Sequence, residues 1–445
     1  MYEAPRFGES VLTTPTLSWC FVKAAAVSVK DFLKNTQTPK EKIMSSKPDT
    51  LYYEYGKKIK RETIPFYEPW LGDEELAQVA ECIRNNWISE GEKTREFEER
   101  IAEMHCRKYA LAVVNCTSAL MMGFKALGIG KGDEVIGPAY TFISSINSIR
   151  LVGATPILVD VNPKTCTINV DALEMAITPR TKAILPVHLG GHPVDMDKVL
   201  SIVKKYNLHL IEDAAQSMGS MYKNKPVGAF GDVSCLSFFA NKTITTGEGG
   251  MIMTDSDEIY KELLMLKNDG RPERGAFLFP IVGYNFRTTD LQSAVGLAQL
   301  DKLPRIIAGK LRILKKYKRH LESVNGIEFA ADDPNCYVVP HHVGIIIDDP
   351  EGLEKYLYEQ GIGSRRFYPP IHKQPCYNMP DSFPIAEDMY ARGLYLPSAP
   401  TMTDEEIDTV CEKIKFYIKS FSSPYNLRSI CSCISQINYG SSYFS

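Results

Sequence analysis

The chain has 445 residues, of which 44% are hydrophobic, 10% aromatic and 24% charged, a balance that excludes global disorder, collagen-like repeats and a membrane bundle. Lysine and arginine number 51 against 54 acidic residues, a formal charge of −3 with no long single-sign block, which argues against nucleic acid as a partner. Eleven cysteines, an odd number without paired metal-ligand spacing, read as reduced thiols in a cytoplasmic protein with no metal site.

Residues 1–62 mix Thr, Ser, Lys and Pro without a sustained period and end in a basic stretch, 57–61, so they are predicted to be a poorly ordered extension. Their most apolar stretch, 19–29, is interrupted by Lys23 and too short to span a bilayer, and its flanks do not suit a secretory signal, so no membrane contact is expected. Helical spacing follows at Leu76, Val79, Ala80 and Ile83 after an Asp73 cap, and again at Phe97, Ile101 and Met104, where Glu96 and Arg100 form an i,i+4 pair. Short apolar, β-rich runs then alternate with helical patterns, at 111–114, 134–136, 156–159, 183–187, 208–211 and 233–237. Continuous apolar strands separated by helices predict a mostly parallel sheet with both faces covered.

Beyond the sheet the pattern predicts a helical connection over 291–320, a strand-like stretch over 337–347 and a closing helix. Thr403 and Glu406 cap that helix reciprocally, and Ile407, Val410, Cys411, Ile414 and Ile418 form its apolar stripe. The expected organisation is an extension (1–62), a large α/β domain (63–300), a small α+β domain (301–420) and a tail (421–445). Residues 420–445 hold nine serines and no acidic residue, too biased for a packed element, and Cys431 and Cys433 within them carry no metal assignment.

Ligands of open parallel sheets bind beyond the carboxyl ends of the strands, so the polar residues just after the apolar runs are the candidates for chemistry. After 111–114 comes Asn115-Cys-Thr-Ser-Ala-Leu120, where Thr117 and Ser118 offer hydroxyls and backbone N–H groups at the positive end of a helix, an anion site. After 208–211 come Glu212 and Asp213, with Gln216 a turn away; after 233–237 comes a polar, Gly-rich segment carrying Lys242. Taken singly, these are a helix cap, a second cap and a solvated loop lysine. Together, a phosphate anchor, a carboxylate and a lysine at strand ends of one sheet are the three contacts that pyridoxal 5'-phosphate requires. The lysine takes the aldehyde, and an aspartate beside the pyridine nitrogen stabilises its proton by up to ~4 kcal/mol, roughly three pKa units.

Seven stretches in order and spacing carry a resemblance: Asn115-Cys-Thr-Ser-Ala-Leu120, Pro138-Ala-Tyr-Thr-Phe142, Val187-His-Leu-Gly-Gly191, Glu212-Asp-Ala-Ala-Gln216, Ser237-Phe-Phe-Ala-Asn-Lys242 with its continuation to Gly250, Gly283-Tyr-Asn-Phe-Arg287 and Tyr368-Pro-Pro-Ile-His372. From about residue 64 to 418 the chain resembles the DegT/DnrJ/EryC1/StrS sugar aminotransferases, and most of all their perosamine-synthase branch. The resemblance implies a large domain of the aspartate-aminotransferase type (fold type I) with a mostly parallel sheet, a smaller C-terminal α+β domain, and a homodimer with shared active sites. It implies that Lys242 holds the cofactor and moves the substrate proton, that Asp213 pairs with the pyridine nitrogen and that Gln216 contacts the ring hydroxyl. Phe142 would stack on the ring, Thr117, Ser118 and Ser237 would hold the phosphate, and Asn285, or alternatively Arg287, would reach it from the other subunit. His188, Tyr368 and His372 would contact the substrate. Cys116 departs from the family's usual glycine, though its backbone N–H remains.

The implied reaction moves an amino group from glutamate to a nucleotide-linked 4-keto-6-deoxyhexose, for example GDP-4-keto-6-deoxymannose. Two alternatives stand beside it. A dehydratase of the same family would carry histidine in place of Lys242, and a non-catalytic regulatory protein on this scaffold would be expected to have lost Asp213, Gln216 or Lys242.

Overall fold

A computed structural model describes residues 63–273 and 275–421. The predicted extension, the basic stretch, the serine-rich tail and the Cys431/Cys433 pair lie outside the described residues.

Two helices open the fold, α1 (Asp73–Arg84) and α2 (Glu92–Met104). The first stands where its periodicity predicts, but it turns a different face inward: Leu76 and Ile83 are exposed while Glu75 and Cys82 are buried. The reason is electrostatic, since Glu75 is drawn onto a buried lysine, Lys302, at 2.9 Å. Its N-cap is Gly72, whose N–H the Glu75 carboxylate accepts at 2.7 Å, so Asp73 is the first helical residue and not the cap. In α2, Phe97 and Ile101 are buried as expected, whereas Arg100 pairs with Asp301 at 2.7 Å.

The centre is a seven-stranded sheet. In chain order its strands and the helices between them are β1 (Tyr109–Val113), α3 (Cys116–Ala126), β2 (Glu134–Pro138), α4 (Ser144–Leu151), β3 (Thr155–Val159), β4 (Thr181–Ile184), α5 (Met196–Tyr206) and β5 (His209–Asp213). A two-strand ribbon, β6 (Met221–Tyr222) and β7 (Lys225–Pro226), precedes β8 (Val233–Ser237), β9 (Gly250–Thr254) and α6 (Asp257–Lys267). The spatial order is β1-β9-β8-β5-β4-β2-β3. Five strands from β3 to β8 pair in parallel, and β9 runs antiparallel between β8 and β1. Every residue of β9 is buried, as are four of five in β1, so the apolar runs are covered on both faces.

A 32-residue helix, α7 (Asp290–Leu321), capped reciprocally by Thr289 and Gln292, leaves the sheet and continues beyond it, so the expected boundary at 300/301 falls inside one continuous helix. The stretch expected as one strand over 337–347 is split: β10 (Cys336–Tyr337) pairs with β6, and β11 (Val343–Ile346) joins a second sheet of order β11-β13-β12. Around that sheet lie α8 (Pro350–Glu359), β12 (Arg365–Arg366), α9 (Pro384–Arg392), β13 (Gly393–Leu396) and α10 (Asp404–Phe421). The α10 stripe of Ile407, Val410, Cys411 and Ile414 is buried against Ile313 and Tyr317 of α7 and Leu353 and Leu357 of α8. Thr403 and Glu406 cap it reciprocally, at 2.7 and 3.2 Å.

Candidate active site

The antiparallel insertion of β9 creates the site's key loop. Residues 238–249 form the connection between β8 and β9, closed by Phe238 N–H to the Gly249 carbonyl and Thr246 N–H to the Phe238 carbonyl, both at 2.9 Å. Helix α7 clamps it from outside, with Gln292 donating to the Glu248 carbonyl at 2.8 Å. Lys242 sits at the turn, its N–H on the Phe239 carbonyl at 2.9 Å, and its own carbonyl accepts the Tyr67 hydroxyl at 2.7 Å. Its amine has no hydrogen bond or ion pair among the described residues. Burial pushes that amine below the ordinary lysine value, with Cys116 and Asp213 acting in the opposite direction.

Lys242 faces a cavity of about 440 Å³ at the carboxyl ends of β1, β2, β5 and β8. Thr117, Phe142, Asp213, Gln216, Ser237 and Tyr368 line it with Lys242. At the end of β5 the Asp213 carboxylate is fixed by the Ser145 hydroxyl at 2.7 Å and the Ala215 N–H at 3.0 Å. Gln216 is anchored by the Gly190 N–H at 2.9 Å. Phe142, 49% exposed, presents its ring to Tyr368 edge-on, with centroids 5.7 Å apart. The first turn of α3 enters beside β9, and only glycine fits at 250, because a Cβ there would lie 2.6 Å from the Cys116 nitrogen.

Four predicted residues are not brought into that cavity. Ser118 is buried and gives its N–H and hydroxyl to the N-cap residue Asn115 at 2.9 and 3.0 Å, so it is spent on the cap and the half-buried Thr117 is the member of the pair that reaches the cavity. The substrate assignment of His188 is corrected: the ring is wholly buried, one nitrogen 3.1 Å from Glu212 and the other accepting the Val194 N–H at 3.1 Å, which leaves no free nitrogen. His372 is likewise buried and lies 2.9 Å from Glu387, under the loop that carries Tyr368 and not on its cavity side. Asn285 is exposed on the outer side of β1, in a separate cleft with Arg287; Arg287 is engaged by Asn268 and by Asp269 at 3.1 Å.

Sequence reasoning missed Ser145, Tyr67 and the antiparallel β9. Ser145 had a signal, a Ser-Ser pair opening α4 two positions after Phe142; Tyr67 had none, because its partner is a backbone carbonyl 175 positions away. An unpartnered amine, an oriented carboxylate opposite it and the free Thr117 hydroxyl at a helix start fit a phosphorylated pyridine aldehyde.

A family model for the DegT/DnrJ/EryC1/StrS aminotransferases matches residues 69–415. The chain belongs to that family. It is 40% identical over 358 residues to a GDP-perosamine synthase of Escherichia coli O157:H7, covering 80% of this chain and 98% of that one. A GDP-perosamine synthase of Caulobacter vibrioides is also 40% identical, over 77% of this chain and 95% of its own. Among solved structures, the aminotransferase TlmJ of Streptoalloteichus hindustanus superposes with a TM-score of 0.78 at 28% identity, covering 81% of this chain and all of that one. A Streptococcus pneumoniae sugar aminotransferase in its PLP form gives 0.77 at 28% identity, with the same coverage. The family member described here is a sugar aminotransferase of fold type I that uses pyridoxal phosphate. Among the described residues, no helix is long and apolar enough to cross a membrane.

Proposed function

We propose that this enzyme aminates the keto group of GDP-4-keto-6-deoxymannose to give GDP-perosamine, with glutamate as amino donor, in the cytoplasm and as a homodimer. The observation that carries the reading is the unpartnered Lys242 amine facing Asp213 across the cavity. Bound pyridoxal phosphate supplies an aldehyde for the amino group and a protonated ring that withdraws electrons from the reacting carbon. Asp213, held by Ser145 and Ala215, stabilises that ring proton, and Gln216 donates to the ring hydroxyl. Thr117, Ser237 and the first turn of α3 hold the phosphate, and Ser118 supports them as the cap partner of Asn115. Lys242, whose amine burial keeps easier to deprotonate, moves the proton to and from the substrate carbon. Phe142 and Tyr368 wall the cavity against water.

The choice of sugar rests on the two GDP-perosamine synthases at 40% identity. The homodimer is supported by apolar surface without a partner among the described residues: Leu76, Ile83, Phe277, Leu278 and Val282 are all more than 60% exposed. Asn285 lies exposed in the cleft beside β1, whereas Arg287 is occupied, which favours Asn285 as the contact donated to the other subunit's phosphate.

The test combines borohydride reduction with a substrate panel. Reduction is expected to fix the cofactor on the peptide containing Lys242, and Lys242→Ala is expected to lose about 10⁴-fold or more in amine transfer while remaining folded. Label on another lysine, or transfer by the variant, overturns the catalytic assignment. Equal rates with GDP- and UDP-linked keto sugars overturn the substrate assignment alone.

A further inference from the structure

The segment between β12 and α9, residues 367–383, carries Tyr368 in the cavity wall, and from there to the start of α9 the chain is fastened to the β2–α4–β3 unit at three points, in the same order along both stretches. Ile371 gives its N–H to the Ala139 carbonyl, just past β2, at 2.9 Å. The Tyr377 hydroxyl donates to Asn147 Oδ1 of α4 at 2.9 Å. The Asp160 carboxylate, just past β3, accepts the N–H groups of Ile385 and Ala386 in the first turn of α9 at 3.0 and 2.9 Å. Tyr377, Met379, Phe383 and Ile385 pack against the core that contains Ile146 and Ile149 of α4.

The first and third fastenings use backbone donors of the segment, which almost any sequence supplies. The middle one joins two side chains, so it alone depends on the identity of a residue in the loop. It is made on the helix that also orients Asp213. Ser145 donates to the Asp213 carboxylate at 2.7 Å, and Asn147, two positions on and so roughly 200° around α4, faces the loop instead. Arg150, one turn further along the Asn147 face, sets its guanidinium carbon 5.7 Å from the centre of the Tyr377 ring. Phe142, two positions before α4, meets Tyr368 edge-on. One short helix and its approach thus touch the carboxylate, the cavity ring and the loop.

We infer that Asn147 and Tyr377 are positioning residues for the keto-sugar half of the reaction: their bond keeps the loop in register with α4, and with it the placing of Tyr368 against Phe142 in the cavity wall. The inference deepens, and rests on, the proposal that this cavity takes a nucleotide-linked keto sugar. Neither member of the pair lines the cavity. Asp213 keeps its bonds from Ser145 and Ala215 whether or not Tyr377 is bonded, so the half-reaction with glutamate does not depend on the pair. A nucleotide-linked sugar is much longer than glutamate and extends past the cofactor along the wall to which Tyr368 belongs.

The test pairs hydrogen exchange of the substrate-free holoenzyme with kinetics. Tyr377→Phe keeps the ring on the core and removes only the hydroxyl, Asn147→Ala removes the acceptor, and Asn147→Asp retains an acceptor oxygen. The first two are expected to speed exchange several-fold in the peptide 374–383 and to leave the peptide 209–217 unchanged. They are expected to raise KM for the keto sugar about 3- to 10-fold, with kcat and the single-turnover reaction with glutamate as in wild type. The double variant is expected to be no worse than either single one, and Asn147→Asp to match wild type in both measurements. Unchanged loop exchange, faster exchange with KM unmoved, or an equal loss in the glutamate half-reaction overturns the inference; if Asn147→Ala does not fold, Tyr377→Phe decides alone. Failure of the substrate reading shows separately, as a wild-type enzyme that aminates none of the keto sugars, and this inference then falls with it.

Discussion

Glu212 and Asp213 are adjacent acids at the end of one strand, and they face opposite sides of the sheet with opposite consequences. On the Glu212 side everything polar is spent. Its carboxylate accepts the N–H groups of Gly228, Phe230 and Gly231 at 2.7–2.8 Å and lies 3.1 Å from His188, and neither side chain is accessible to solvent. On the Asp213 side polar capacity is left over: the Lys242 amine is unpartnered, Thr117 and Tyr368 front a cavity, and Asp213 itself uses two bonds for orientation. The alternation of a β-strand puts one acid into a closed, satisfied core and the next into an open cleft. Residue type at a strand end therefore does not mark a site; unspent hydrogen-bonding capacity facing a space does.

Neutralising each acid in turn sharpens that contrast. Asp213→Asn keeps the shape and removes the charge opposite Lys242, so kcat is expected to fall by about 10²–10³-fold with the melting temperature nearly unchanged. Glu212→Gln is expected to do the reverse, costing about 3 kcal/mol of stability because a charged acceptor of three N–H groups is lost from a fully buried site, while kcat of the folded protein stays near wild type. Steady-state kinetics beside thermal unfolding check the pair, and equal activity losses would erase the distinction between the two faces. The Glu212 effect carries a pH signature. Burial pushes this carboxyl up, but His188 and the loop N–H groups outweigh it and hold it below the usual value, so its stabilisation is full above the unfolded pKa of about 4.3 and is lost as pH falls through the lower folded value. The stability gap between wild type and Glu212→Gln should narrow with acidification over that range and stay constant above it.

The parallel sheet and the residues Lys242, Asp213, Gln216 and Thr117 were legible in the sequence because strand ends after apolar runs are local signals, whereas Ser237 came only from the family resemblance. What was not legible depends on contacts distant in the chain. β9 follows a glycine-rich stretch and its direction is set by pairing with β1 about 140 positions earlier, so nothing local announces an antiparallel strand. The inward face of α1 is decided by Lys302, and the occupation of His188 by Glu212; in each case burial of a polar residue depends on a partner that periodicity does not reveal. Ser118 shows the same limit on a shorter scale, since the Asn before the helix takes the hydroxyl that looked available for an anion.

The smallest expected effect separates Tyr368 from His372, which share one loop. Tyr368 lines the cavity and packs edge-on against Phe142, whereas His372 is buried beneath, 2.9 Å from Glu387 and 5.0 Å from the Phe383 ring. Removing the hydroxyl in Tyr368→Phe takes away one hydrogen-bonding group, set beside Gln216 in the cavity wall, without altering the packing. KM for the keto sugar is therefore expected to rise about 3- to 10-fold, equivalent to roughly 1 kcal/mol, with kcat and the glutamate half-reaction little changed. His372→Asn removes the Glu387 contact from a buried position, so it is expected to lower thermal stability, by about 1–2 kcal/mol, before it touches KM. If His372→Asn instead raised KM as strongly as Tyr368→Phe at unchanged stability, the buried histidine would have to reach the substrate in the closed complex, and the division of this loop into a cavity face and a supporting face would fail.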